Sequence, residues 1–355
     1  MRWDIFCQIV DNFGDAGVCW RLARSLTSLH GQTVRIFCDD LPTLNLLASG
    51  VDEEIKRKVD LQPWESSFNN SRHPVETPDV VIEAFGCDLP ERYLTGLLIA
   101  PKKPIIINLE YLSAEPWIAD FHGKASPQAH GIPKYFFFPG FQANVGGLLL
   151  DPIPNQPIKS ANIPSSLYEA WAQMRPNTKR ISVFCYPGAP LLKWLEDLGA
   201  LGENVDVVLT HGQLEQLKLS TGHPISLPNS IQLISIPFVS QDEYDWVLGQ
   251  CDFNIVRGED SFIRAQLAGK PFIWHIYPQE DRAHEVKLAA FLDLYLEDAS
   301  QELRLAVIAA MTWAMPNQWL ASLDSWNSHS EAWRADLLQK QADGGLAARL
   351  LGFVA

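Results

Sequence analysis

The run Ile5-Phe6-Cys7-Gln8-Ile9-Val10, then Asp11-Asn12-Phe13-Gly14-Asp15-Ala16-Gly17, then the stretch from Val18 to Leu29, decides the fold. An apolar run of strand length leads into a turn with two glycines, and apolar residues at helical spacing lead out. Strand, glycine turn and helix make up the unit that builds nucleotide and sugar sites at the carboxyl end of a parallel sheet. A turn that cradles phosphate is rich in glycine and free of acids. This one carries Asp11 and Asp15, four residues apart. Two carboxylates suit a nucleophile that must lose a proton, so the turn reads as an acceptor site.

The same alternation continues outward. Residues 33–38, 80–84 and 105–109 read as short buried strands, 90–100 as a helix, and 135–138 as a further apolar run before Pro139-Gly140. Residues 69–78 are polar with two prolines and read as a surface loop. Residues 151–164 hold four prolines and little periodicity, the composition of a linker. The alternation then restarts, with strands expected at 181–185, 205–209, 231–236, 253–256 and 271–276 and helices at 191–198 and 241–250. From His284 onward the pattern is helical. The expected organisation is an α/β chain of two doubly wound domains facing a cleft: residues 1–150, a linker at 151–164, and 165–355 with closing C-terminal helices.

Composition bounds the function. A chain of 355 residues with 47% hydrophobic content is long enough to fill two cores. The formal charge of −14, from 42 acidic against 28 basic residues, argues against nucleic acid or an anionic membrane as the main partner. Six scattered cysteines without a CxxC pair read as buried free thiols in a reducing cytoplasm. No secretion signal and no apolar run of membrane-spanning length is evident, so a cytoplasmic location is expected.

A second constellation follows the apolar run 253–256: Arg257-Gly258-Glu259-Asp260-Ser261, then a helical 262–269. Ser261 or Asp260 is expected as the helix N-cap. Amides at a helix start favour an anion, and Arg257 adds a fixed positive charge. Glu259 and Asp260 would repel a diphosphate, so their carboxylates must point elsewhere if phosphate binds here. The alternative is a capped helix with a surface ion pair. The next stretch, Phe272-Ile273-Trp274-His275-Ile276-Tyr277, can flank a base or sugar at a strand exit, or serve as core aromatics with His275 in a structural hydrogen bond.

Several segments together carry a specific resemblance: DNFGDAGVCWRLARSL, VVIEAFGCDLPE, NLEYLSAE, IPFVSQDEYDWVL and RGEDSFIRAQLAGKPFIWHIYPQEDRAH. They closely resemble the bacterial EarP family, the protein-arginine rhamnosyltransferases of translation elongation factor P. The resemblance runs from the first strand to about Ala289. It is faint in the linker, in residues 69–78 and in the C-terminal helices. It implies a GT-B fold of two Rossmann-like domains. It also implies an inverting transfer of rhamnose from dTDP-β-L-rhamnose to one arginine of elongation factor P, with the acceptor on the N-terminal domain and the nucleotide sugar on the C-terminal one. No separate cofactor is implied.

The resemblance also assigns residues. Asp15 is the general base, and Asp11 positions the acceptor or supports the turn. Glu259 orients either the rhamnose or the incoming guanidine. Asp260 and Ser261 match positions that contact the diphosphate. Arg257 either touches phosphate or pairs with Glu259. Tyr186 matches a tyrosine that reaches the phosphates, with Phe184 by the nucleotide; the surrounding Tyr-Pro-Gly-Ala-Pro is a stretch that varies in the family. Phe238 and Gln241 match thymine-recognition positions, and Tyr277 flanks the nucleotide. Metal is not expected, because no aspartate is followed two residues later by another. The rival readings are another nucleotide-sugar transferase or epimerase of this fold, or a non-catalytic protein that binds elongation factor P.

Overall fold

The computed structural model describes residues 1–10, 13–48, 58–64, 77–150, 163–221, 225–314 and 316–355. The chain divides into two compact units, Met1–Ile153 with Leu337–Ala355, and Pro154–Asp336. Each is built on a wholly parallel sheet.

The first sheet holds β1 (Arg2–Cys7), β2 (Thr33–Cys38), β3 (Val59–Pro63), β4 (Val80–Ala84), β5 (Ile105–Leu109) and β6 (Lys134–Phe137), in the order β3-β2-β1-β4-β5-β6. Strands covered on both faces must be apolar on both. Accordingly, Ile5, Cys7, Ile82 and Leu109 face one core, and Phe6, Val81 and Ile106 face a second with Tyr93 and Leu97 of the helix Glu91–Ile99. One charge interrupts β1. Asp4 is fully buried and accepts from Arg35 Nε at 2.7 Å, Arg35 Nη2 at 2.6 Å and the Tyr93 hydroxyl at 2.6 Å. Burial pushes its carboxyl up, against the pull of Arg35.

The second sheet holds β7 (Lys179–Val183), β8 (Val205–Thr210), β9 (Ile231–Ile236), β10 (Phe253–Arg257) and β11 (Phe272–His275), in the order β11-β10-β7-β8-β9. In each sheet the strand order reverses beside the first strand. The switch points lie between β1 and β4 and between β7 and β10, where open α/β sheets place their ligands.

Several sequence expectations are corrected, among them the strand expected at 181–185, which runs Lys179–Val183. The first strand ends at Cys7 rather than at residue 10, so Gln8 to Val10 belong to the exit loop. The strand β3 was not anticipated; its sequence VDLQP sits at the sheet edge, ends in proline and shows no clean apolar run. The C-terminal helices up to Asp336 stay with the second unit as expected, but Leu337–Ala355 belongs to the first. The helix Gly345–Val354 places Leu346, Ala347 and Leu350 in the core beneath β1. Leu346 N donates to Leu148 O at 2.8 Å, and Arg349 donates to the Val145 carbonyl at 2.8 Å. An amphipathic helix signals that it needs an apolar partner, not which one. Most of the proline-rich segment 151–164 lies outside the described residues. Among the described residues no helix is long and apolar enough to cross a membrane.

Candidate active site

At the first switch point, the helix Phe13–Ser28 begins directly after the exit loop of β1. Asp15 lies in its first turn, 3% exposed, and its Oδ2 accepts from the Val10 backbone N–H at 2.8 Å. The carboxylate therefore ties the loop end to the helix start, where the dipole favours an anion. Asp11 lies outside the described residues. All six cysteines are buried free thiols, and Cys7 and Cys19 gather near Asp15. A hydrogen bond with Cys19, burial and the Asp15 charge all push the Cys7 thiol up.

At the second switch point, the exits of β7 and β10 bring Phe184, Tyr186 and Arg257 together. The Arg257 guanidinium lies 4.2 Å from the Phe184 ring centroid and 4.9 Å from that of Tyr186, and donates to the Cys185 carbonyl at 3.3 Å. His275, paired in register with Arg257, accepts the Tyr186 N–H on Nδ1 at 3.0 Å. Burial, and then the Arg257 charge, lower its pKa to about 4, which keeps the imidazole neutral for that bond. Tyr277 packs edge-on against Tyr186 at 5.2 Å and is 46% exposed. His275 thus takes the structural hydrogen bond that was one of its two readings.

The turn after β10 is set by Gly258, whose φ of 65° falls in the left-handed region that favours glycine. Trp274 Nε1 donates to the Gly258 carbonyl at 3.0 Å, and its indole stacks on Phe262 at 3.8 Å. The helix runs Asp260–Ala268 and its N-cap is Glu259, with no side-chain cap bond. This corrects the expected Ser261 or Asp260 cap. The side chains have other partners. Glu259 Oε1 accepts from Lys287 Nζ at 2.8 Å, and Asp260 Oδ2 accepts from Gln241 Nε2 at 3.0 Å. The Ser261 hydroxyl donates to the Arg257 carbonyl, so its proton is committed within the turn.

Gln241 opens the helix Gln241–Gln250, whose Ser240 N-cap forms a capping box with Glu243. One turn on, Asp245 is bridged by Arg264 through Nε at 3.0 Å and Nη2 at 2.8 Å, with both side chains almost wholly buried. The two helices are thus laced at 241/260 and at 245/264. Phe238, just before the capping box, is 42% exposed. The donor-side candidates Phe184, Tyr186, Phe238, Gln241, Arg257, Asp260, Ser261 and Tyr277 all lie at carboxyl ends of second-sheet strands or directly after them.

Sequence reading missed Lys287, in the helix Ala283–Tyr295. No local pattern marks it, because the pairing with Glu259 crosses from one helix to another. Among the described residues no group of three or more His, Cys, Asp or Glu is placed to hold a metal ion.

Two parallel sheets with alternating helices are the architecture of the GT-B glycosyltransferase fold. A solved calicheamicin glycosyltransferase shares the fold with a TM-score of 0.51 at 13% identity, over 100% of this chain and 98% of that one. A family profile described as Elongation-Factor P (EF-P) rhamnosyltransferase EarP matches residues 3–355, and the chain belongs to that family. The protein-arginine rhamnosyltransferase of Pseudomonas putida is 37% identical over 99% of this chain and 98% of its own length. That of Neisseria meningitidis serogroup B is 39% identical over 81% and 77%. A solved structure that describes the basis of EarP-mediated arginine glycosylation of translation elongation factor EF-P matches 99% of this chain and 98% of its own, with 27% identity and a TM-score of 0.64.

Proposed function

We propose that this protein transfers rhamnose, with inversion, from dTDP-β-L-rhamnose to one arginine side chain of elongation factor P, without a metal ion. The observation that carries the reading is the family match over residues 3–355. The first unit takes the acceptor arginine and the second takes the nucleotide sugar.

Arginine is a poor nucleophile, since its guanidinium stays protonated and its lone-pair density is delocalised. A carboxylate at the attacking nitrogen must hold the fork and accept a proton as the bond forms. Asp15 takes that role, and Asp11 positions the acceptor. An ordinary carboxylate is a far weaker base than a guanidine, so proton loss is coupled to C–N bond formation, which acidifies the nitrogen. On the donor side, Arg257, Tyr186 and the start of the helix Asp260–Ala268 stabilise the departing diphosphate. Glu259, steadied by Lys287, orients the sugar or the incoming guanidine. Phe184, Phe238, Gln241 and Tyr277 hold the nucleotide.

The test is the intact mass of elongation factor P after incubation with the protein and dTDP-β-L-rhamnose. One added deoxyhexose on one arginine is expected, and it persists in excess EDTA. An unchanged acceptor mass would overturn the assignment. Loss of turnover on chelation, restored by Mg²⁺ or Mn²⁺, would overturn metal independence.

A further inference from the structure

A second feature of the first unit stands at the exits of β4 and β5, one strand from the exit of β1. Phe85 and Glu110 each lie one residue past the paired strand ends Ala84 and Leu109. Phe85, with a φ of 59°, lays its ring on that of Tyr111 at 4.5 Å between centroids and 17° between planes. Tyr111 is 37% exposed, so the stack presents an aromatic face to solvent.

Glu110 beside it is half-buried. Among the described residues its carboxylate takes one hydrogen bond, from Asn108 Nδ2 at 2.7 Å. Lys134, whose charge acts on Glu110, is ion-paired with the buried Glu83. Burial pushes the Glu110 carboxyl up, against the pull of the Asn108 hydrogen bond and the Lys134 charge. Asn108 is 6% exposed, and its Oδ1 is buried with no hydrogen-bond partner. An unpaired buried carbonyl is costly, and turning the amide over would set that oxygen against the carboxylate. The fold accepts this cost to hold Glu110 at the rim of the sheet. A half-buried carboxylate with no ion-pair contact among the described residues, next to an exposed aromatic stack, matches a planar cation that hydrogen-bonds at its edge and stacks on its face.

We propose that Phe85, Glu110 and Tyr111 form the subsite that receives the guanidinium of the acceptor arginine, with Asn108 as the residue that positions Glu110. The proposal rests on the reading of the protein as an arginine-modifying enzyme. It adds a second carboxylate contact and an aromatic contact to those at Asp15.

The test is a binding cycle that needs no turnover. Calorimetry compares wild type, Glu110→Gln and Tyr111→Leu against elongation factor P and against the same acceptor with its target arginine changed to alanine. Wild type should prefer the arginine acceptor by about tenfold or more. Both variants should lose most of that preference, keep dTDP affinity and melting temperature, and bind the alanine acceptor as wild type does. In turnover, the acceptor KM should rise while the donor KM holds. Retention of the preference by both variants would overturn the subsite, as would equal affinity of wild type for the two acceptors. An absence of sugar product from wild type, with the arginine preference intact, would instead overturn the transfer reaction and leave the subsite standing.

Discussion

The two turns that carry the candidate chemistry hold their acids in opposite ways. In the first, Asp15 reaches back to Val10, five residues away, and the turn is tied by its own sequence. In the second, Glu259 and Asp260 are held by Lys287 and Gln241, from two other helices, and the helix start has no side-chain cap. An acid tied to its own loop keeps its geometry as long as that loop is formed. A turn from which the acids are drawn aside leaves the helix start to an anion, but depends on its neighbours. The difference suits an acceptor site in one unit and a diphosphate site in the other.

The largest expected effect bears on the first turn. Asp15→Asn keeps an oxygen for the Val10 N–H, so the fold and dTDP binding should survive, while transfer falls by ~10²–10⁴. Single-turnover kinetics with both substrates saturating decide this. A rate within a few-fold of wild type would remove Asp15 as the base and make Glu259 the first candidate. The second turn should break through its neighbours. Asp245→Ala removes the buried carboxylate that bridges Arg264 and should cost about 3–5 kcal/mol of stability. A denaturant midpoint equal to wild type would show that the two helices do not depend on that bridge.

Smaller effects sharpen the comparison. Lys287→Met should lower turnover about tenfold in the wild-type background and hardly at all in Glu259→Gln, because coupled residues are not additive. Independent, multiplicative losses would mean that Lys287 acts elsewhere. Arg257→Lys keeps the charge but loses the flat contact with Phe184 and Tyr186, worth about 0.5–2 kcal/mol, so the donor KM should rise about 2- to 30-fold. An unchanged donor KM would show that only the charge matters there.

The weakest effect is a pH slope. His275 has its pKa lowered to about 4 by burial and by Arg257, and His122 to about 4 by burial and by Arg349. Between that value and the ordinary 6.5 the unfolded chain binds more protons than the folded one. Stability is therefore whole above about pH 6.5 and declines as the pH falls toward about 4. Urea midpoints from neutral to acid pH should show this decline, and His275→Gln should flatten it. A flat wild-type profile would argue that neither ring stays neutral in the fold.

The sequence made the strands legible where both faces are buried: residues 33–38, 80–84, 105–109 and 231–236 are strands at the expected bounds. The restarted alternation also showed two parallel sheets. The edge strand β3 stayed hidden because Val59–Pro63 has no apolar run to reveal it. The Glu259 cap escaped the capping rule because the rule reads local side chains, while Glu259 is engaged by a lysine on another helix. Arg257 showed its charge but not its place between two rings, which depends on how β7 and β10 meet. Asn108, Glu110 and Tyr111 stood in a stretch that carried the family resemblance, yet no spacing rule gave them a role.

The return of Leu337–Ala355 to the first unit has a consequence in time. The chain leaves the ribosome from its N-terminus at roughly 5–20 residues per second, so the first sheet emerges well before the helix that covers it, by tens of seconds. During that interval the apolar surface awaiting Leu346, Ala347 and Leu350 is bare. The unit that starts first is completed last, and a transcript cut short near its end leaves that surface uncovered however well the second unit has folded.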